Sequence, residues 1–123
     1  MALITLLTDF GYRDSYVASL KAKIYSIDST FDIIDISHDI DKYDIQQAAF
    51  VFNAVYKDFP NGTVHLLGVE RACEPCGYLI IRSKEGFFIA PDNGVLSLLE
   101  NFHPLQIIKI NIKEKSSFVL KNE

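Results

Sequence analysis

Apolar residues along this chain alternate between short continuous runs and helical stripes, and each change of period marks a change of element. Ala2 to Leu7 is an apolar run broken only by Thr5, the pattern of a strand buried on both faces. Ser15 to Ile27 then sets Tyr16, Leu20, Ile24 and Ile27 at near-helical spacing, which predicts a helix. Phe31 to Ile36 predicts a second strand. Asp44 reads as the N-cap of a second helix whose apolar positions include Ile45, Ala48, Ala49, Phe52 and Tyr56, because a short side-chain acceptor there satisfies a free backbone N–H. Pro60-Asn61-Gly62 turns the chain into a third strand, Thr63 to Val69. Tyr78 to Arg82 and Phe87 to Ala90 flank Ser83-Lys84-Glu85-Gly86, a hairpin signature, and a short helix follows Asp92-Asn93-Gly94. Leu105 to Ile112 alternates apolar with polar residues, as a half-exposed edge strand does. Strands interleaved with helices predict a three-layer α/β/α domain with a largely parallel sheet and a β-hairpin. That domain spans 1–113, and a polar, frayed tail occupies 114–123.

Composition narrows the class. In 123 residues, 49% of them hydrophobic, there is enough apolar surface for one core. The net charge of −4 and the scattered lysines and arginines leave no basic stripe for nucleic acid. No run of about 18 apolar residues and no signal-peptide pattern occurs, so a cytoplasmic protein without a membrane span is expected. Its partners should be small molecules or further copies of itself.

Candidate chemistry starts at Thr8-Asp9-Phe10-Gly11-Tyr12-Arg13-Asp14, just past the first strand, where ligands of open α/β sheets bind. Asp9 and Asp14 therefore stand at the mouth of a crevice. Carboxylates hold ribose hydroxyls or ammonium groups well, whereas a phosphate favours a glycine-rich cradle and a lysine, neither of which this segment has. The plainer alternative is that Asp9 only ends the strand and caps a turn. Cys73-Glu74-Pro75-Cys76 has metal and redox spacing, but His38, His65 and His103 supply no paired ligands, and the motif lies in a loop between strands. A reduced pair without a metal, or an adventitious disulfide formed on storage, is the expected state.

Four blocks extend the reading: Ile4-Thr5-Leu6-Leu7-Thr8-Asp9-Phe10-Gly11 with Asp14-Ser15-Tyr16-Val17; Ile34-Asp35-Ile36-Ser37-His38-Asp39-Ile40; Phe59-Pro60-Asn61-Gly62-Thr63-Val64-His65; and Ala90-Pro91-Asp92-Asn93-Gly94-Val95-Leu96-Ser97. Together they resemble the S-adenosyl-L-methionine hydroxide adenosyltransferases, the adenosine-forming hydrolases related to fluorinases and chlorinases, from about residue 3 to 112. The resemblance implies hydrolysis of S-adenosylmethionine at the ribose C5′, with the substrate as the only small molecule required and no further cofactor. It implies Asp9 on the ribose hydroxyls, Asp14 on the methionine amino group and Tyr43 against the sugar or base. Asp14 reads equally as a helix cap and Tyr43 as a lid over the core. Phe10, His38, Asp92 and Asn93 stand behind those contacts; His38 reads either as a proton carrier or as a hydrogen-bonded structural histidine.

Two departures qualify the resemblance. Family members carry an aspartate and, about seven residues later, an arginine after the third strand. Here those positions are Glu70 and Gly77, so Glu70 falls at the water site one methylene too long, and Arg71 or Arg82 would have to replace the cation. Members also run to about twice this length, and their second domain completes the site of a neighbouring subunit in a trimer. The alternative to a hydrolase is thus an impaired nucleoside-binding or oligomerisation domain.

Overall fold

A computed structural model describes residues 2–13, 15–69 and 77–110. The elements are β1 (Leu3–Thr8), α1 (Tyr16–Ile27), β2 (Asp32–Ser37), α2 (Ile45–Val55), β3 (Thr63–Gly68), β4 (Tyr78–Ser83), β5 (Gly86–Pro91) and β6 (Pro104–Ile110). The strands form one six-stranded sheet in the order β2-β1-β3-β5-β4-β6. β1 runs parallel to β2 and β3, β3 runs parallel to β5, and β4 is antiparallel to both β5 and β6. The result is the expected α/β class with a mixed, mostly parallel sheet and a β4–β5 hairpin. Successive strands leave β1 in opposite directions, β2 on one side and β3 on the other. That reversal opens a crevice at the carboxyl end of β1.

Packing explains the register. Ile4 to Thr8 are all buried, as the unbroken apolar run predicts for a strand flanked on both sides. Leu7, Leu67, Phe88 and Ala90 meet Ala48 and Phe52 of α2 in one apolar cluster. Asp44 does cap α2: its Oδ1 accepts from the Gln47 N–H at 2.9 Å. Past Val55 the chain tightens into a single 3-10 turn, Tyr56–Asp58, and Tyr56 donates its hydroxyl to the Glu100 carbonyl at 2.7 Å. The hairpin requires glycine at position 86. With φ at +152°, a Cβ there would stand 2.2 Å from the Thr63 carbonyl oxygen, closer than any side chain can come.

The structure refines three of these elements. The expected first helix is present, but its apolar stripe is largely exposed: only Val17 is buried, while Tyr16 is 60% and Ile27 82% exposed. The expected short helix after Gly94 is present as a single 3-10 turn, Val95–Leu98, entered through Gly94 at φ +92°. The last strand is an edge strand as expected but is exposed along all seven residues, because no described element packs on either of its faces. Residues 111–123, including the end of the expected last strand and the polar tail, lie outside the described residues.

Candidate functional site

Two segments converge on the crevice at the end of β1. Asp9 directly follows the strand and is 7% exposed. Residues 41–44 approach from the far side as the entry to α2, where the Asp44 N–H donates to the Asp41 carbonyl and the Asp41 N–H to Gln47 Oε1 at 2.6 Å. This turn puts Tyr43 at φ +64°, a left-handed conformation that non-glycine residues rarely adopt. Its consequence is a contact: the Tyr43 N–H donates to Asp9 Oδ2 at 2.9 Å. Unusual backbone held by surrounding hydrogen bonds is commonest where a ligand or a catalytic group must be placed.

Behind Asp9 lies a buried relay. His38, 1% exposed, sits between Thr8 Oγ1 at 2.6 Å from Nδ1 and Asp35 Oδ1 at 2.7 Å from Nε2. A carboxylate only accepts, so Nε2 carries the proton, and in the neutral ring the Thr8 hydroxyl donates to Nδ1. Thr8 Oγ1 in turn accepts the Phe10 N–H at 3.2 Å, and the His38 carbonyl accepts the Gly11 N–H at 2.7 Å. Gly11 makes that bend at φ +73°. Tyr12 adds its ring edge-on to the imidazole, centroids 5.1 Å apart. Burial pushes the Asp35 carboxyl up, but hydrogen bonds from Lys21 and His38 outweigh it and hold Asp35 below the usual carboxylate range. Through this relay β2 grips the loop that carries Asp9 by side chain and backbone alike.

The space these elements enclose is a cavity of about 610 Å³ lined by Asp9, Phe10, Tyr16, Ser19, Leu20, Lys23, Lys42 and Tyr43. Its size lies within the range of about 300–1,000 Å³ typical of small-molecule sites. Tyr16, Ser19, Leu20 and Lys23 come from α1 at positions i, i+3, i+4 and i+7, so one helix face forms a wall. Phe10 packs edge-on to Tyr16 with ring centroids 6.1 Å apart.

Of the sequence-derived candidates, the structure brings together Asp9, Phe10 and Tyr43 on the cavity wall and sets His38 directly behind them. It takes Asp92 and Asn93 elsewhere. Asn93 donates to the Val69 carbonyl at 2.8 Å and accepts from the Val95 N–H at 3.1 Å, while Asp92 pairs with Lys109 at 2.8 Å. Neither residue lines the cavity; both tie the end of β5 to its neighbours. Arg82 points to the opposite end of the sheet, against Gln106 at 3.4 Å. Asp14, Glu70, Arg71, Cys73 and Cys76 lie outside the described residues. Among the described residues no cluster of histidine, cysteine and carboxylate side chains could hold a metal, and no helix is long and apolar enough to cross a membrane. Sequence reasoning missed Ser19, Lys23 and Lys42. The helical spacing from Tyr16 to Lys23 was the available signal, hidden because an apolar stripe of that period reads first as a core face.

Fold and cavity together define an α/β domain with a cavity at the sheet's reversal point. Residues 4–122 match the model of the SAM hydroxide adenosyltransferase N-terminal domain, and the chain belongs to that family. It is 34% identical over 121 residues to the (R)-S-adenosyl-L-methionine hydrolase of Methanocaldococcus jannaschii, covering 89% of this chain and 44% of that protein. The enzyme of the same name from Thermus thermophilus is 26% identical over 98 residues, covering 80% of this chain and 38% of its own length. An uncharacterized conserved protein from Thermotoga maritima has the same fold, with a TM-score of 0.81 and 32% identity over 90% of this chain and 44% of that one. The chain thus spans less than half the length of these relatives.

Proposed function

We propose that this chain supplies the N-terminal domain of an S-adenosylmethionine hydrolase, in which water or hydroxide attacks the ribose C5′ and releases adenosine and methionine. The new C5′–O bond forms as the C5′–S bond breaks. The bonding pair leaves with sulfur as a neutral thioether, and the attacking water gives up one proton. Such a reaction asks mainly for alignment of the two ends of the substrate.

One observation carries the reading. The Asp9 carboxylate is buried, anchored through Oδ2 to the Tyr43 N–H, and makes no hydrogen bond through Oδ1 to any described residue while facing the cavity. A carboxylate oxygen accepts more than one hydrogen bond, so both vicinal ribose hydroxyls can be received by a group already fixed in orientation. Phe10 and Tyr43 supply the apolar surface for the sugar or base. Relatives named as S-adenosylmethionine hydrolases support the substrate class.

Calorimetric titration tests the assignment. Adenosine should bind the 123-residue chain, and Asp9→Ala should weaken it by about 1.5–3 kcal/mol, the range for a hydrogen bond to a charged group, with an unchanged circular dichroism spectrum. Equal affinity in the two proteins would remove Asp9 from the site.

The second reading, a domain that binds adenosyl ligands without turning them over alone, is favoured by the sequence at two positions: Glu70 and Gly77 stand where the family carries aspartate and arginine. Without that cation the attacking water lacks preorganised electrostatic support. The expected result is that the chain alone releases no adenosine from S-adenosylmethionine above background, measured by chromatography. Release that is abolished by Glu70→Ala would overturn the second reading and leave the hydrolase standing on this chain alone.

A further inference from the structure

The whole chain carries a net charge of −4, yet the described wall of the cavity carries two lysines against one aspartate. Those lysines are not committed elsewhere. Lys21, Lys57 and Lys109 each meet a carboxylate, at 2.6, 3.4 and 2.8 Å, whereas Lys23 and Lys42 make no ion pair with any described residue. They also reach the cavity from independent elements. Lys23 closes the α1 face one turn beyond Ser19 and Leu20. Lys42 is held by the turn that places the neighbouring Tyr43 N–H on Asp9. A ribose gripped by Asp9 would therefore have cationic side chains within the same enclosure.

Resting on the adenosyl reading above, we propose that Lys23 and Lys42 form a subsite for an anionic group carried by the nucleoside ligand away from its ribose hydroxyls. Two sources of that chemistry exist: the carboxylate of the methionyl half of S-adenosylmethionine and the phosphate of an adenosine nucleotide. Charge limits how each can sit. S-adenosylmethionine carries two cationic centres, the sulfonium and the ammonium, against one carboxylate. A wall richer in cations than anions accepts it only with the carboxylate turned to the lysines and the ammonium turned away. A nucleotide meets no such restriction. Adenosine has no anionic group and is indifferent to the lysines.

The test compares three probes, adenosine, S-adenosylmethionine and adenosine 5′-monophosphate, by titration at low ionic strength against the full chain, Asp9→Ala, and the double variant Lys23→Gln with Lys42→Gln. Both lysines are exposed and glutamine retains most of their length, so the fold is expected to persist. The double variant should weaken the anionic ligand by about tenfold, as two partly solvated ion contacts acting together do, and adenosine by less than about twofold. Added salt should erase most of that difference. A lysine-dependent loss confined to S-adenosylmethionine identifies the carboxylate; a larger loss for the monophosphate identifies phosphate as the better-matched anion. Unchanged binding of all three by the double variant, or an equal loss for adenosine, overturns the subsite while Asp9-dependent adenosine binding leaves the proposed function intact. Failure of all three to bind the unmodified chain overturns both.

Discussion

Phe52→Ala lowers the unfolding free energy of this domain by about 3–5 kcal/mol, the range for removing a buried aromatic ring. Phe52 is fully buried and stands at the centre of an aromatic nest. Its ring stacks on Tyr56 at 5.0 Å and meets His65 and Phe88 edge-on at 5.1 and 6.1 Å. Truncation removes contacts with three rings at once, and the sheet cannot collapse into the void because β1, β3 and β5 are locked by their ladders. Urea titration followed by circular dichroism measures the loss. A change below about 1 kcal/mol would mean that α2 does not rest on this nest. The site should suffer with it, since α2 begins at the Asp44 cap next to the turn that holds Tyr43 on Asp9.

The same nest makes the domain acid-sensitive. His65 is 1% exposed and enclosed by Phe52, Tyr56, Phe59 and Phe88, with Nδ1 hydrogen-bonded to Thr5 at 2.7 Å. Burial disfavours the charged imidazolium and lowers its pKa from 6.5 to about 4. The unfolded chain keeps the ordinary value, so below pH 6.5 it takes up a proton that the folded state refuses. Stability from this residue is therefore fully present above pH 6.5 and is lost as the pH falls toward about 4. The expected loss between about pH 7 and about pH 4.5 is about 2–3 kcal/mol, because each tenfold difference in proton affinity between the folded and unfolded chain is worth about 1.36 kcal/mol. Urea midpoints measured across that window, beside those of His65→Gln, isolate the effect. Identical slopes in the two proteins would assign the acid sensitivity to carboxylates instead. In Phe52→Ala, where water gains access to the imidazole, the slope should flatten as the pKa returns toward 6.5.

Much of the architecture was legible in the chain because it rests on local period and turn chemistry. The apolar run of β1, the Asp44 cap of α2 and the Ser83-to-Gly86 hairpin each announce themselves within a few residues. Less was legible where an element's neighbours decide its burial. The α1 stripe has helical spacing whether it covers a core or lines a cavity, and only the approach of residues 42 and 43 shows that Tyr16 and Lys23 line a cavity. β6 alternates like a half-covered strand, yet its exposure depends on which elements pack beside it.

The candidate site divides along the same line. By itself the sequence determined the class of fold, the family and the carboxylate at the end of the first strand, since each depends on residue types at fixed separations along one chain. It did not show that Asp9 is anchored by a backbone N–H 34 residues away. Nor did it show that the Thr8 hydroxyl closes a relay through His38 to Asp35. Nor did it show that Lys23 of α1 and Lys42 at the entry to α2 line the same cavity as Asp9. Those pairings were decided by the tertiary structure, because the sheet's reversal at β1 is what folds residues distant in sequence around a single cavity.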